Sequence, residues 1–429
     1  MQSIIVVGAG AAGLMGAYEL SRRGKNVLIL EAANRLGGRI HTVVDGSFSQ
    51  PIELGAEFIH GDLDITLGLL KEAGIKYHEA KGKMFHLEKG EFKKENNFSD
   101  HWDELMKRMG GLKEDLPLGE FLIRFFNDDK YNDLRESVRH FAEGFDLADL
   151  SDASTMALYK EWKDEWGTQY RVDGGYQRLI DYLASACKKN GCVIEKNCTV
   201  KKVRWAKEQV SVLNMCSQYF AANKIIVAVP LSVLQAPEND IAYIEFTPAV
   251  PEYTKAAAQI GFGTVIKIIL QFDETFWAHM KKNVGFIFTD EEIPTWWTQH
   301  PRKTSLLTGW FGGPSAAVYK NATDEEILSL ALNSLASAFA KSAEVIRQNL
   351  KACKITNWSN VPGVNGGYSY SKLESNAAKK IFERPIEQTI FFAGESFYSG
   401  NSSGTVEAAL VSGREAALKI LQLEDSKQA

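Results

Sequence analysis

Five cysteines in 429 residues (Cys187, Cys192, Cys198, Cys216 and Cys353) are too few and too irregularly placed to form a disulfide framework. They are odd in number and include no CxxC pair or metal-ligand spacing, so no metal site is expected and the thiols should be reduced, as in a cytoplasm. An excess of one charge is also lacking. Lys and Arg total 49 against 54 Asp and Glu, a formal net charge of -5, which gives no reason to expect nucleic acid or an anionic membrane as partner. No apolar run approaches the roughly eighteen residues that span a bilayer. A strand pattern begins within a few residues of Met1, leaving no room for a signal peptide, and the C-terminal LEDSKQA is polar. Repeats and low-complexity segments are missing too. What is present is an ordinary globular composition, 45% hydrophobic and 24% charged, in a chain long enough for two lobes.

The stretch that organises the chain is IIVVGAGAAGLMGAYELSRRGKNVLILEAANRLGGR, residues 4–39. An apolar run (Ile4 to Val7) predicts a buried strand. A turn follows with Gly8, Gly10 and Gly13, then a helix closed by Gly24, a second strand (Val27 to Leu30) and the acid Glu31. This is a βαβ unit. In such a unit Gly8 permits the sharp turn, Gly10 leaves backbone open to a pyrophosphate, and Gly13 lets the helix lie close to the sheet. The helix N-terminus then offers free N–H groups and positive potential to the phosphates. Glu31 sits where a carboxylate accepts from a ribose diol.

These features indicate a dinucleotide without choosing between FAD and NAD. The continuation AANRLGGR, with Gly37, Gly38 and Arg39 after Arg35, resembles the extended flavin fingerprint of the FAD-dependent amine oxidases. That resemblance covers nearly the whole chain and is weakest over residues 91–166. It is strongest towards the polyamine oxidase and histone demethylase branch, and weaker towards monoamine oxidase proper. It implies an α/β fold: a discontinuous Rossmann-type FAD-binding domain with an inserted substrate-binding domain of mixed sheet and helices. The implied division is FAD domain 1–90, 169–240 and 356–429, and substrate domain 91–168 and 241–355.

Amphipathic runs such as HWDELMKRM and LGEFLIRFF predict helices in residues 91–166, where Trp162 and Trp166 would share a helix face and line a substrate tunnel. The strands GFGTVIKIILQF, VGFIFTD and SLLTGWFGG are expected in the second insertion, then a helix over DEEILSLALNSLASAF capped by Thr323. The closing helix should pack on the sheet through Val406, Ala409, Leu410, Gly413 and Ala417.

Lys267 stands between β-branched residues, so its side chain projects from the opposite strand face to theirs, towards solvent or a buried polar site. It matches the lysine that the family holds over the flavin N5 through a water. A buried ammonium is costly unless paired or wet, and burial favours loss of its proton, which would suit a base or proton relay. NGGYSY resembles the family's GSYSY, so Tyr368 would form one wall of an aromatic cage with Trp358 shaping the site. The resemblance places His60 beside the substrate amine. An imidazole there can accept from an ammonium or donate to a carbonyl.

For the cofactor, the resemblance adds Ala12, Ala32, Gly55, Ala56, Glu57, Phe58, Val200, Gly394 and Glu395 to Gly8, Gly10, Gly13, Glu31, Arg39 and Trp358. It also adds Thr405 and Val406, whose helix end would face the flavin N1 and C2 carbonyl. Two departures matter. The second cage tyrosine of monoamine oxidases corresponds to Thr405, and their flavin-tethering cysteine corresponds to Gly367, which implies non-covalent FAD. Membrane-bound relatives carry a C-terminal anchor that this sequence lacks. The activity implied is oxidation of an extended amine, such as a polyamine, to an imine. Hydrolysis would follow, and O2 would be reduced to hydrogen peroxide. The rival readings are an L-amino-acid oxidase gripping its carboxylate with Arg171 or Arg302, a desaturase-type FAD oxidoreductase, and a protein that keeps FAD as a structural element.

Overall fold

The computed structural model describes residues 3–94, 101–164, 167–400 and 403–426. A five-stranded sheet, parallel throughout, sits at its centre in the order Val193–Glu195, Asn26–Leu30, Ser3–Val7, Lys224–Val227, Ile390–Phe392. Three distant parts of the sequence build it. The run Ile4 to Val7 is apolar at every position because both faces are covered. Ile4 and Val6 meet the first helix (Ala11–Ser21) and the last (Val406–Asp425) on one side. Ile5 and Val7 face the other core, which contains the helices Pro251–Ala258 and Ser375–Phe382.

The closing helix meets the first helix directly rather than lying on the sheet alone. A Cβ on Gly413 would sit 2.0 Å from the Ala12 carbonyl oxygen, and Gly13 is equally constrained, with 1.9 Å to the Gly8 oxygen. These glycines are set by backbone approach, not by turn geometry.

The second lobe is a seven-stranded mixed sheet in the order Leu350–Asn357, Val265–Phe272, Leu306–Gly312, Thr295–Thr298, Val284–Phe288, Lys83–Glu88, Glu91–Lys94. Only the pair Val284–Phe288 with Lys83–Glu88 runs parallel. One face packs under the helix Asp324–Ala338, which carries a capping box of Thr323 with Glu326. Along Val265–Phe272, Ile266, Ile268 and Leu270 face this helix, which leaves Lys267 on the opposite face.

Helices fill residues 102–110, 118–125, 132–144 and 155–164 around a separate core. The expected helical stretch therefore begins later than residue 91. Residues 83–94 form instead a hairpin whose Lys89 and Gly90 both have positive φ, the requirement of a two-residue turn matched to strand twist. The expected boundary at residue 90 falls inside this hairpin. Similarly, Glu245–Thr247 pairs with Val200–Ala206, so residues beyond 240 still belong with the nucleotide lobe. Trp162 is a core residue rather than a tunnel wall: it stacks on Trp102 at 5.4 Å and donates to Asp146 at 2.8 Å. Trp166 lies outside the described residues.

Two glycine substitutions test this packing. Gly413→Val is expected to destabilise the protein by about 2–4 kcal/mol. Gly68→Ala, on an exposed helix position with nothing within 4 Å, should stabilise it by roughly 0.5–1 kcal/mol. Urea midpoints measure both, and equal effects would contradict the helix contact.

Candidate active site

A cavity of about 1640 Å³ runs from the N-terminal glycine turn to the face of the second sheet that carries Lys267. That exceeds the usual ~300–1,000 Å³ of a small-ligand pocket and has room for a dinucleotide and a substrate together. Every catalytic or cofactor residue that the family resemblance assigns lines it except Gly13, while Arg171, Arg302 and Trp162 do not.

At the nucleotide end the three glycines differ in cause. Gly8 has φ +102° and its Cβ would lie 2.5 Å from the Ala228 oxygen. Gly10 has no such conflict, since the atom nearest to a Cβ there is the Gly37 oxygen at 4.0 Å. The chain itself does not forbid a side chain at Gly10; the empty space is a cradle for a ligand. Glu31 is fixed beside it by the N–H groups of Ala9 (2.7 Å) and Ala33 (2.8 Å). Arg35 holds the Gly38 and Ile40 carbonyls and so shapes the loop. Arg39 binds the Gly367 carbonyl and Glu395, each at 2.8 Å. Both Glu395 oxygens are engaged within the chain, by Arg39 and Ser396 on one and Ser369 on the other. Burial would raise this carboxyl, but Arg39 and the two serines hold it below the usual range. Glu395 thus anchors the arginine. The last helix begins in the cavity wall, with Thr405 as its N-cap accepting from the Ala408 N–H at 3.1 Å. Val200 and Gly394 line the cavity as strand-end and turn residues.

At the other end Lys267 is 1% exposed. Its ammonium donates to the Glu57 carboxylate at 2.8 Å and the Gly55 carbonyl at 3.0 Å. Glu57 also receives Arg171 (2.9 Å), Trp297 (3.0 Å) and Gln299 (3.0 Å) on its other oxygen. Burial alone would raise the Glu57 carboxyl, but Lys267 and Arg171 with these hydrogen bonds hold it down to about 2. Lys267 is thus ion-paired with Glu57, the pairing that a buried ammonium requires, and it lines the cavity. Glu57 is likewise occupied by protein partners. Gly55 admits no side chain, because its Cβ would lie 1.8 Å from the Arg39 oxygen and 3.1 Å from Trp358. Trp358 in turn donates to the Leu54 carbonyl at 2.9 Å.

Tyr368 stacks on Trp310 with centroids 6.3 Å apart. Both are tied to the C-terminal end of the helix Asn132–Gly144: Trp310 donates to the Gly144 carbonyl at 2.7 Å and the Tyr368 hydroxyl to the Phe145 carbonyl. Helix ends leave such carbonyls without intrahelical partners, and here they fix two aromatic walls. His60 meets Phe145 edge-on at 5.9 Å, and Phe58 meets Trp297 edge-on at 5.6 Å. Burial lowers the imidazole of His60 to about 4, so it is neutral near pH 7 and does not take a proton from an ammonium there. Trp297, Trp310, Phe145 and Gln299 were not identified from the sequence. Arg171 was considered only as a carboxylate grip, and it is committed to Glu57 and to the Thr298 and His300 carbonyls. Arg302 pairs with Asp173 at 2.7 Å.

A dinucleotide cradle opening onto an aromatic slot beneath a second lobe defines a flavoprotein oxidoreductase. The chain belongs to the flavin containing amine oxidoreductase family, whose model matches residues 11–421. It is 27% identical to lysine-specific histone demethylase 1 homolog 2 of Oryza sativa subsp. japonica, over 99% of this chain and 58% of that protein. It is 26% identical to polyamine oxidase 4 of the same species, over 97% of this chain and 88% of that protein. The chain spans about half the length of the curated demethylases it matches. In fold it is similar to putrescine oxidase bound to putrescine (TM-score 0.81, 21% identity, 98% of this chain and 99% of that one). It is also similar to cyclohexylamine oxidase from Brevibacterium oxydans (TM-score 0.80, 18% identity, 99% of each chain). The flavin of the family fits the residues present: the open space at Gly10, the fixed Glu31 carboxylate and the helix end at Thr405 suit a pyrophosphate, a ribose and a polarisable ring. Among the described residues no group of acidic, histidine or cysteine side chains could hold a metal ion, and no helix is long and apolar enough to cross a membrane.

Two experiments follow. Gly10→Val should leave folding intact, since the nearest protein atom to a Cβ there, the Gly37 oxygen, is 4.0 Å away, yet yield colourless protein; a yellow variant would contradict the cradle. Glu57→Gln should cost about 3–5 kcal/mol at neutral pH, because it breaks a buried ion pair. Stabilisation by Glu57 is complete above its ordinary value of 4.5 and is lost as pH falls through about 2. The variant should therefore flatten that acid limb in denaturation midpoints, and an unchanged limb would exclude this role.

Proposed function

We propose that the protein oxidises the C–H bond next to a neutral amine nitrogen in a polyamine or similarly extended amine. The observation that supports this reading is the slot between Tyr368, Trp310 and the neutral His60, open on one side to the nucleotide cradle. FAD, when bound, would supply the acceptor for the hydride equivalent, with O2 as the final oxidant giving hydrogen peroxide. The remaining chemistry is an imine taking up water to yield an aldehyde and a shorter amine.

The chain's part is placement and electrostatics. Tyr368 and Trp310, stacked on each other, form one aromatic wall against which the amine lies, and they exclude water. His60, uncharged, does not repel an ammonium and offers one N–H or one lone pair to orient the nitrogen. Lys267 fixes a positive charge and retains one N–H for a water, with Glu57 holding it in position. The end of the last helix stabilises negative charge gathering on the flavin pyrimidine edge. Glu31 accepts from the ribose, and Gly8, Gly10, Ala12 and Ala32 let backbone approach the phosphates. Gly367 bears no thiol, and a Cβ there would lie 2.5 Å from Leu147, so the flavin is held non-covalently.

An L-amino-acid oxidase needs a free guanidinium in the slot, and both arginines considered for that task are paired. The carboxylates of Asp133, Glu136 and Asp290 along the cavity suit a cation better than the hydrocarbon of a desaturase substrate.

An anaerobic panel of spermine, spermidine, putrescine, benzylamine and a methyl-lysine peptide, followed by flavin absorbance, tests the reading. Spermine or spermidine should bleach the flavin fastest, and bleaching by benzylamine but by neither polyamine would overturn it. Acid precipitation should release all the flavin into the supernatant, whereas a yellow pellet would contradict non-covalent binding.

A further inference from the structure

Most ionised groups at the cavity's reacting end are hydrogen-bonded within the chain; among the described residues Glu161 has only the nearby charge of Lys379. Glu161 lies on the helix Thr155–Asp164 and lines the cavity. Among the described residues no donor reaches its carboxylate oxygens. The cation that acts on it is Lys379, 4% exposed, whose ammonium donates to the Ser403 hydroxyl at 3.1 Å. Ser403 leads to Gly404, where a Cβ would lie 3.0 Å from the Tyr368 ring, so this cluster borders the aromatic slot. Burial pushes the Glu161 carboxyl up and Lys379 pulls it back, so a second cation in the cavity would further favour its charged form.

The wall beside it continues with the same sign. Asp133, Glu136, Ser137, His140, Phe141 and Gly144 line the cavity at three- and four-residue spacing, one face of the helix Asn132–Gly144. That helix packs against Trp162, next to Glu161, with Phe141 and Trp162 centroids 5.2 Å apart. The face runs from acids at one end to aromatic and glycine positions beside the slot.

We propose that Glu161 is the counter-ion for a second, non-reacting ammonium of the amine substrate, selecting substrates with at least two cationic nitrogens. The inference rests on the amine-oxidising reading above and goes further by assigning a residue to substrate choice. A half-buried, cavity-lining carboxylate with no donor in the chain gains a charge-assisted hydrogen bond from such an ammonium. A monoamine of equal length leaves it unsatisfied.

The test compares 1,8-diaminooctane with nonylamine, which has a methyl group in place of the distal ammonium. On the wild-type holoenzyme the diamine should show a KM lower by about 10- to 100-fold, and a lower dissociation constant from anaerobic flavin-spectral perturbation. In Glu161→Gln the diamine's advantage should collapse to within about threefold, through KM rather than kcat, with nonylamine unchanged. Equal values for the two amines on the wild type overturn the proposal, even if the variant does not fold. So does a variant that keeps the full preference. Failure of any amine to bleach the flavin would instead count against amine oxidation itself, so the two readings fail separately.

Discussion

The structure depends first on the Glu57 carboxylate. It is buried where the nucleotide lobe meets the seven-stranded sheet, with Lys267 on one oxygen and Arg171, Trp297 and Gln299 on the other. A carboxylate taken out of water is tolerated only when its lone pairs are satisfied and its charge is matched. Those partners come from three separate parts of the sequence: Arg171, Lys267, and the neighbouring Trp297 and Gln299. Lys267 also binds the Gly55 carbonyl, two residues before Glu57. The lobes are therefore joined by a polar knot whose geometry sets the height of the lysine strand over the cavity. Apolar contact alone would let the sheets slide.

Parts of this were legible in the sequence because their causes are local. The glycine turn, the acid after the second strand, the capping box at Thr323 and the buried strand around Lys267 all follow from periodicity and backbone sterics within a few residues. The knot around Glu57 was not legible. Arg171, Trp297 and Gln299 lie 114, 240 and 242 residues from it, and nothing in their own neighbourhoods marks them as its donors. The hairpin at residues 83–94 was missed for a related reason. Its Lys89-Gly90 turn is a short signal, and the strand pairs with Val284–Phe288 far along the chain, which fixes it to the second lobe. Trp310 resembled a strand aromatic, and its task becomes visible only through its partner across the register, Lys267, and through the Gly144 carbonyl.

The helix Asn132–Gly144 has an unusual share in the outcome. Its terminal carbonyls bind Trp310 and Tyr368, and Gly312 and Gly313 allow the strand end to approach it, since Cβ atoms there would lie 2.4 Å from Leu147 and 2.5 Å from the Glu143 oxygen. Orphan acceptors at a helix end require donors, and using two cage aromatics as donors makes the slot as rigid as the helix. Preorganisation of this kind places a reacting carbon without reordering side chains at each turnover.

Charge balance explains why a neutral nitrogen suits this slot. Arg39 is paired with Glu395, whereas Lys267 and Arg171 share the single carboxylate of Glu57. That cluster and the positive end of the last helix both favour negative charge on the flavin side. The walls of the slot are rings, and His60 beside them is held uncharged by burial. An ammonium entering this space loses water and gains no counter-ion, a cost that shedding its proton removes. Further out, Glu161 and the acids of the helix face reverse that preference. For the extended amine proposed as substrate, the environment thus changes from one that tolerates cations to one that expels them, and that boundary would decide which nitrogen reacts.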